Sequence, residues 1–160
     1  MSNPEIKITL TGFDKFLDSL GWLLLALLWS YTIYSLINLP EIIPIHFNSS
    51  GIPDRYGKKG FVVIMPIIGT FVVIGLHYLN KIPHLHNHSV KVNPKNAEAL
   101  YLNSTRMLRL IKISILLVFI LVSTAFQSGT TLSLSWLLPV LCVLFLGPTI
   151  YYVFRSYQLR

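Results

Sequence analysis

Charge is scarce in this chain. Asp, Glu, Lys and Arg make up 12% of its 160 residues, about half the roughly 25% of an ordinary soluble domain. That argues against a water-soluble globule. Cysteine is almost absent. Cys142 has no second cysteine to pair with, which excludes a disulfide scaffold; in its apolar surroundings it reads as a small hydrophobe. Acid is scarcer than base, at 6 against 13, so the net charge is +7. The basic residues flank apolar runs and form no patch, so nucleic-acid binding is a poor reading of that charge. No internal repeat is visible, and the two halves are too unlike for a transporter built on inverted repeats. What remains is apolar: 53% of the residues, too many for disorder.

Four stretches carry that apolar content. Leu20 to Leu39, Gly60 to Leu79, Ile113 to Phe126 and Leu132 to Phe154 contain no charged residue. The third extends back through Leu110 and Ile111. A hydrocarbon core about 30 Å thick needs about 20 helical residues. Backbone inside lipid must satisfy its own hydrogen bonds, so these spans are expected to be helices. A β-barrel would show short alternating strands, which the run Leu23-Leu24-Leu25-Ala26-Leu27-Leu28 excludes. The expected fold is all-α: a single membrane domain over 1–160, a four-helix transmembrane bundle with spans near 17–39, 60–80, 108–126 and 132–154.

Four spans put both termini and the loop 81–107 on one side, and the loop 40–59 on the other. Ten Lys and Arg residues lie on the first side and three, Arg55, Lys58 and Lys59, on the second. The positive-inside rule then places both termini in the cytoplasm of a cell membrane and the loop 40–59 outside. The first apolar run is too long for a signal-peptide core and reads as a retained span. Before it, Phe13, Phe16, Leu17 and Leu20 repeat at helical spacing, with Thr11 as cap and Asp14 in the first turn. They predict an interfacial lead-in helix. Asn93-Pro94 predicts a helix start, with Ala97, Leu100, Tyr101, Ser104, Leu108 and Ile111 on one face and no break before the third span. Arg106, Arg109 and Lys112 read as anchors that snorkel to the interface. Pro66, Pro139 and Pro148 are expected to kink their spans. Trp22, Trp29, Trp136, Tyr151, Tyr152 and Tyr157 partly suit interfacial belts.

The loop 40–59 is the most informative stretch. Pro40 and Pro44 forbid a helix across it. In an extended chain Ile43, Ile45 and Phe47 point one way, and Pro44, His46 and Asn48 the other. Asn48-Ser49-Ser50-Gly51 is a turn signal, as is Tyr56-Gly57. So many large apolar residues argue for a loop folded on the bundle, since a free linker would not hold them. His46 can donate, accept or ligate a metal, and the turn can bring it to Asp54. His46, Asn48 and Asp54 form an incomplete zinc set; they serve either to fix the loop by bonding one another or to hold a ligand. Lys59 reads as a membrane-edge anchor, with Asp54 as an available partner.

The string Leu39-Pro40-x-x-Ile43-Pro44-x-His46-Phe47-Asn48, followed by Gly51-x-Pro53-Asp54-x-Tyr56-Gly57-x-Lys59, resembles the first conserved region of the SdpI-type membrane proteins. Pro66 in the next span also fits. The resemblance covers about residues 20 to 80, with a looser likeness over 96–112. It implies a multi-pass protein of the bacterial cell envelope. The SdpI type is an immunity protein against a secreted peptide toxin, and it also signals by holding a repressor at the membrane. Its full-length members carry about six spans and a second conserved region; this chain has four spans and no evident second region.

The functional expectation is therefore a non-catalytic membrane protein that recognises a peptide toxin or signal through the outer loop. Its site residues would be His46, Asn48, Asp54, Lys59, Pro44, Gly51, Pro53 and Gly57. No cofactor is expected. The partners are the lipid bilayer and an extracellular peptide or a second membrane protein, with the oligomeric state left open. The alternatives are a small-solute or ion transporter, an accessory subunit of another membrane complex and, last, a metal-dependent membrane enzyme. For the last, His84, His86 and His88 alternate on one side of an extended stretch; with His46 they are weak metal candidates.

Overall fold

The computed structural model describes residues 3–128 and 134–160, with side chains over 3–126 and 137–160. Four helices dominate it: α1 (Gly12–Asn38), α2 (Ile64–Leu79), α3 (Ala97–Ser128) and α4 (Leu134–Gln158). A hairpin of β1 (Ile42–Phe47) and β2 (Pro53–Lys58) joins α1 to α2. All four helical segments are long and apolar enough to cross a membrane, the second counted from Lys59 with its leading 3-10 turn. The chain is a multi-pass integral membrane protein whose outer helix faces meet lipid.

Local chemistry sets the helix ends. Thr11 and Asp14 form a capping box: the Asp14 carboxylate accepts from the Thr11 backbone N–H at 2.8 Å, and the Thr11 hydroxyl accepts from the Asp14 N–H at 3.4 Å. From there α1 runs unbroken to Asn38, where the extended Leu39 and then Pro40 stop it. Among the described residues no separate lead-in helix precedes the span. Phe13 and Phe16 lie exposed on the first turns of α1 itself, while Leu17 faces the core. At 27 residues and about 1.5 Å per residue, α1 outruns a 30 Å core by about two turns.

Pro66 lies at the start of α2 and not in its interior. It is the third residue of the helix, where the backbone N–H has no intrahelical partner to lose. It marks the change from the 3-10 turn Lys59–Val63 to α-helix. Asn93 caps the turn before α3 as expected: its side chain accepts from the N–H groups of Lys95 and Asn96. The helix then runs through the third span without a break. Pro139 and Pro148 both lie inside α4. The Trp136 side chain lies outside the described residues.

The core is a leucine seam. Leu17, Leu24, Leu25 and Leu28 of α1 pack on Val73 of α2 and on Ile113 and Leu116 of α3. Polar links add direction. The Trp29 indole donates to the Thr70 hydroxyl at 3.0 Å, tying α1 to α2. Asn103 donates to the Tyr152 carbonyl at 2.7 Å and Ser114 to the Leu144 carbonyl at 2.8 Å, tying α3 to α4. A second cluster collects the chain ends: Ile8, Val90, Val92 and Leu159 pack around Ala97, Leu100 and Tyr101. Both termini and the α2–α3 loop therefore share one end of the bundle. The hairpin lies at the other, where Phe47 stacks on Phe126 of α3 with ring centres 6.1 Å apart.

Candidate functional site

The hairpin begins with its turn. The Asn48 side chain accepts from the N–H groups of Ser50 at 2.9 Å and Ile52 at 3.0 Å, an Asx arrangement. Gly51 closes the turn at φ 76°, in the left-handed region that favours glycine. Pro53 opens β2, a position where a missing donor is tolerated. The pairing is antiparallel: Ile42 faces Lys58, Pro44 faces Tyr56, His46 faces Arg55 and Phe47 faces Pro53. Ile45 and Asp54 are left over, one extra residue on each strand. The bulge at Asp54 lets its carboxylate turn back on His46, with Oδ1 at 2.5 Å from Nδ1. The Ile45 side chain crosses Gly57, where a Cβ would lie 2.7 Å from its Cδ1.

The base of the hairpin is clamped by Lys59. Its ammonium lies 3.1 Å from the Glu41 carboxylate and donates to the Leu39 carbonyl at 3.3 Å. Asp54 is therefore not its partner; Asp54 belongs to His46. Ile43 is buried beneath the hairpin, which fixes which face looks inward. His46 and Asp54 stay exposed, at 60% and 43% of their side chains. The carboxylate holds Nδ1, and the rest of the exposed ring is left open to a further partner. An apolar cavity of about 240 Å³ lies beside it, between Ile45, His46 and Phe47 and the facing Val122, Phe126 and Leu137. Asn48, Gly51, Pro53, Gly57 and Lys59 thus set the backbone, while His46 and Asp54 face outward.

At the other end lies a group of side chains that span-by-span reading missed. Asp14 and Asp18 of α1 face Arg106, Arg109 and Lys112 of α3. Arg106 grips Asp14 with two nitrogens, at 2.7 and 3.1 Å. Arg109 Nε donates to one Asp18 oxygen at 2.9 Å, and Lys112 Nζ to the other at 3.0 Å. Arg109 and Lys112 are 2% and 0% exposed. They point into the bundle and do not snorkel outward. Gly21 makes room for this, since a Cβ there would lie 2.5 Å from Lys112 Cε. One signal for it was present. The charge-free run Ile113–Phe126 is shorter than the roughly 20 residues that a span needs, so a span of that length takes in some of the basic residues before it.

The histidine tract is not extended. Pro83–Leu85 form a 3-10 turn. His86 Nε2 lies 3.0 Å from the Leu79 carbonyl and therefore donates; Nδ1 faces the Ser104 hydroxyl at 3.0 Å. His88 Nε2 lies 3.0 Å from the Pro83 carbonyl, and its ring packs on Tyr101. Burial holds the His86 pKa below the ordinary 6.5, with His88 and His84 adding to the effect and the Leu79 carbonyl opposing it. Among the described residues no three His, Cys, Asp or Glu side chains gather as a metal site would require.

A family model described as a domain of unknown function, DUF1648, matches residues 23–70. Over 59 residues the chain is 39% identical to an uncharacterized protein of Archaeoglobus fulgidus. That match covers 37% of this chain and 32% of the relative, so the chain spans about a third of the length of the relative it matches. No solved structure matches.

Proposed function

We propose that this chain sits in the cell membrane with both termini in the cytoplasm, and that its outward hairpin recognises a peptide. The observation that carries this reading is the hairpin face. An exposed His46–Asp54 pair stands beside an apolar cavity of about 240 Å³, on a two-stranded sheet whose outer edges have no strand partner among the described residues. Extended peptides bind such edges by backbone hydrogen bonds, and adjoining pockets then select side chains. The excess of basic residues at the terminus-bearing end supports the orientation. The likeness of the loop to the SdpI type supports a peptide toxin as the ligand and immunity as the outcome.

The test is protection. Cells expressing the chain are challenged with a secreted peptide toxin of the kind that SdpI-type proteins neutralise, beside cells expressing His46→Ala/Asp54→Ala. The expected result is normal membrane expression of the double variant with protection abolished. Equal protection by both forms would reject the role of the hairpin.

A further inference from the structure

A different cavity lies at the opposite end of the bundle, beside the charged ladder. It measures about 250 Å³ and opens between the segment 6–10, the C-terminal end of α2 and the α3 residue Arg109. Asp18, His77, Asn80, Arg109 and, at its mouth, the exposed Lys7 and Lys81 line it. Two of these side chains are more than nine-tenths buried and end in polar atoms that have no partner among the described residues. They are Arg109 Nη1 and both Oδ1 and Nδ2 of Asn80. Buried polar atoms are almost always satisfied, by protein, water or a ligand. All three belong to residues that line one cavity, which marks it as a place where a hydrogen-bonding group belongs.

The charges say which kind. Lys7, Lys81 and Arg109 stand against the single carboxylate of Asp18. That carboxylate already accepts from Arg109 Nε and Lys112 Nζ, so it offers a cation little. Arg109 Nη1 and Asn80 Nδ2 are donors, Asn80 Oδ1 can accept from a phosphate hydroxyl, and a guanidinium edge suits phosphate oxygens. The surroundings are those of a membrane interface. Trp22 packs edge-on to His77 at 6.0 Å, and Lys81 lies 4.9 Å from the centre of the Tyr78 ring. We propose that this cavity binds a phosphate-class anion through Arg109 Nη1 and Asn80, with Lys7 and Lys81 drawing it in. The phosphate belongs either to an anionic lipid headgroup or to a free ion.

Two probes separate the sources. The full chain is placed in nanodiscs containing phosphatidylglycerol and analysed by native mass spectrometry for retained lipid. In phosphatidylcholine nanodiscs it is titrated with inorganic phosphate while its thermal unfolding is followed. One retained phosphatidylglycerol per chain identifies a headgroup site; stabilisation by inorganic phosphate identifies a free-ion site. Asn80→Ala, and Arg109→Lys, which keeps a cation for Asp18, are expected to weaken the binding by about tenfold, as for the loss of one charge-assisted hydrogen bond. Lys7→Gln/Lys81→Gln, at exposed positions, weakens it most at low salt, where the lysines are least screened, and serves if Arg109→Lys fails to fold. No retained lipid and no phosphate effect in the unsubstituted chain would overturn the proposal, leaving water as the occupant. So would binding that Asn80→Ala and Lys7→Gln/Lys81→Gln leave unchanged.

Discussion

The hairpin end and the terminus-bearing end both rest on acid–base pairs, yet the pairs are built on opposite plans. At the hairpin, His46 and Asp54 are eight residues apart and exposed. At the other end, Asp14 and Asp18 meet partners more than ninety residues away, and two of those partners are almost fully buried. An exposed pair is screened by water and contributes about 0–1 kcal/mol. Breaking a buried pair strands a charge and costs about 3–5 kcal/mol. The ladder therefore fixes α1 against α3, whereas the exposed pair adds little to the stability of the fold. The hairpin keeps its shape by other means: the Asn48 turn, Gly51 and the Lys59 clamp.

The largest effect is expected from breaking the ladder where one acid serves two bases. Asp18→Leu leaves Arg109 and Lys112 buried without their carboxylate. It should lower the stability in detergent by about 3–5 kcal/mol, read as a shift in an unfolding titration. A change under about 1 kcal/mol would mean that water reaches both cations. A smaller loss is expected at Gly21, the notch through which Lys112 passes. Gly21→Leu should cost about 1–3 kcal/mol by overpacking, and its loss combined with that of Lys112→Ala should be less than the sum of the two, because the second substitution removes the side chain that the first meets. If the two losses add in full, the clash lies elsewhere.

Legibility in the sequence follows the range of the interactions. The spans were legible because about 20 apolar residues in a row have one solution in lipid. The start of α1 was legible because Thr11 and Asp14 are three residues apart. The hairpin was half legible. Pro40, Pro44 and Asn48-Ser49-Ser50-Gly51 announce extended chain and a turn, but the bulges at Ile45 and Asp54 that set the register leave no local mark. The ladder was illegible residue by residue. Arg106, Arg109 and Lys112 taken alone read as anchors, and only the packing of α1 on α3 shows that Asp14 and Asp18 lie in reach. Asn80 and Arg109 gave no sign of a cavity, because an orphaned atom is a property of packing. The place of Pro66 in the first turn of α2 was illegible because nothing in an apolar run marks where the 3-10 turn gives way to α-helix.

The most direct test of the contrast is a pair of double-mutant cycles in one detergent, Asp14→Asn with Arg106→Gln and His46→Ala with Asp54→Ala. Each cycle isolates the coupling between its two side chains. A coupling of about 1.5–3 kcal/mol is expected for the first pair, whose carboxylate is buried and doubly bonded. Less than about 1 kcal/mol is expected for the second. Equal couplings, or a larger one at the hairpin, would contradict the division of labour between the two ends.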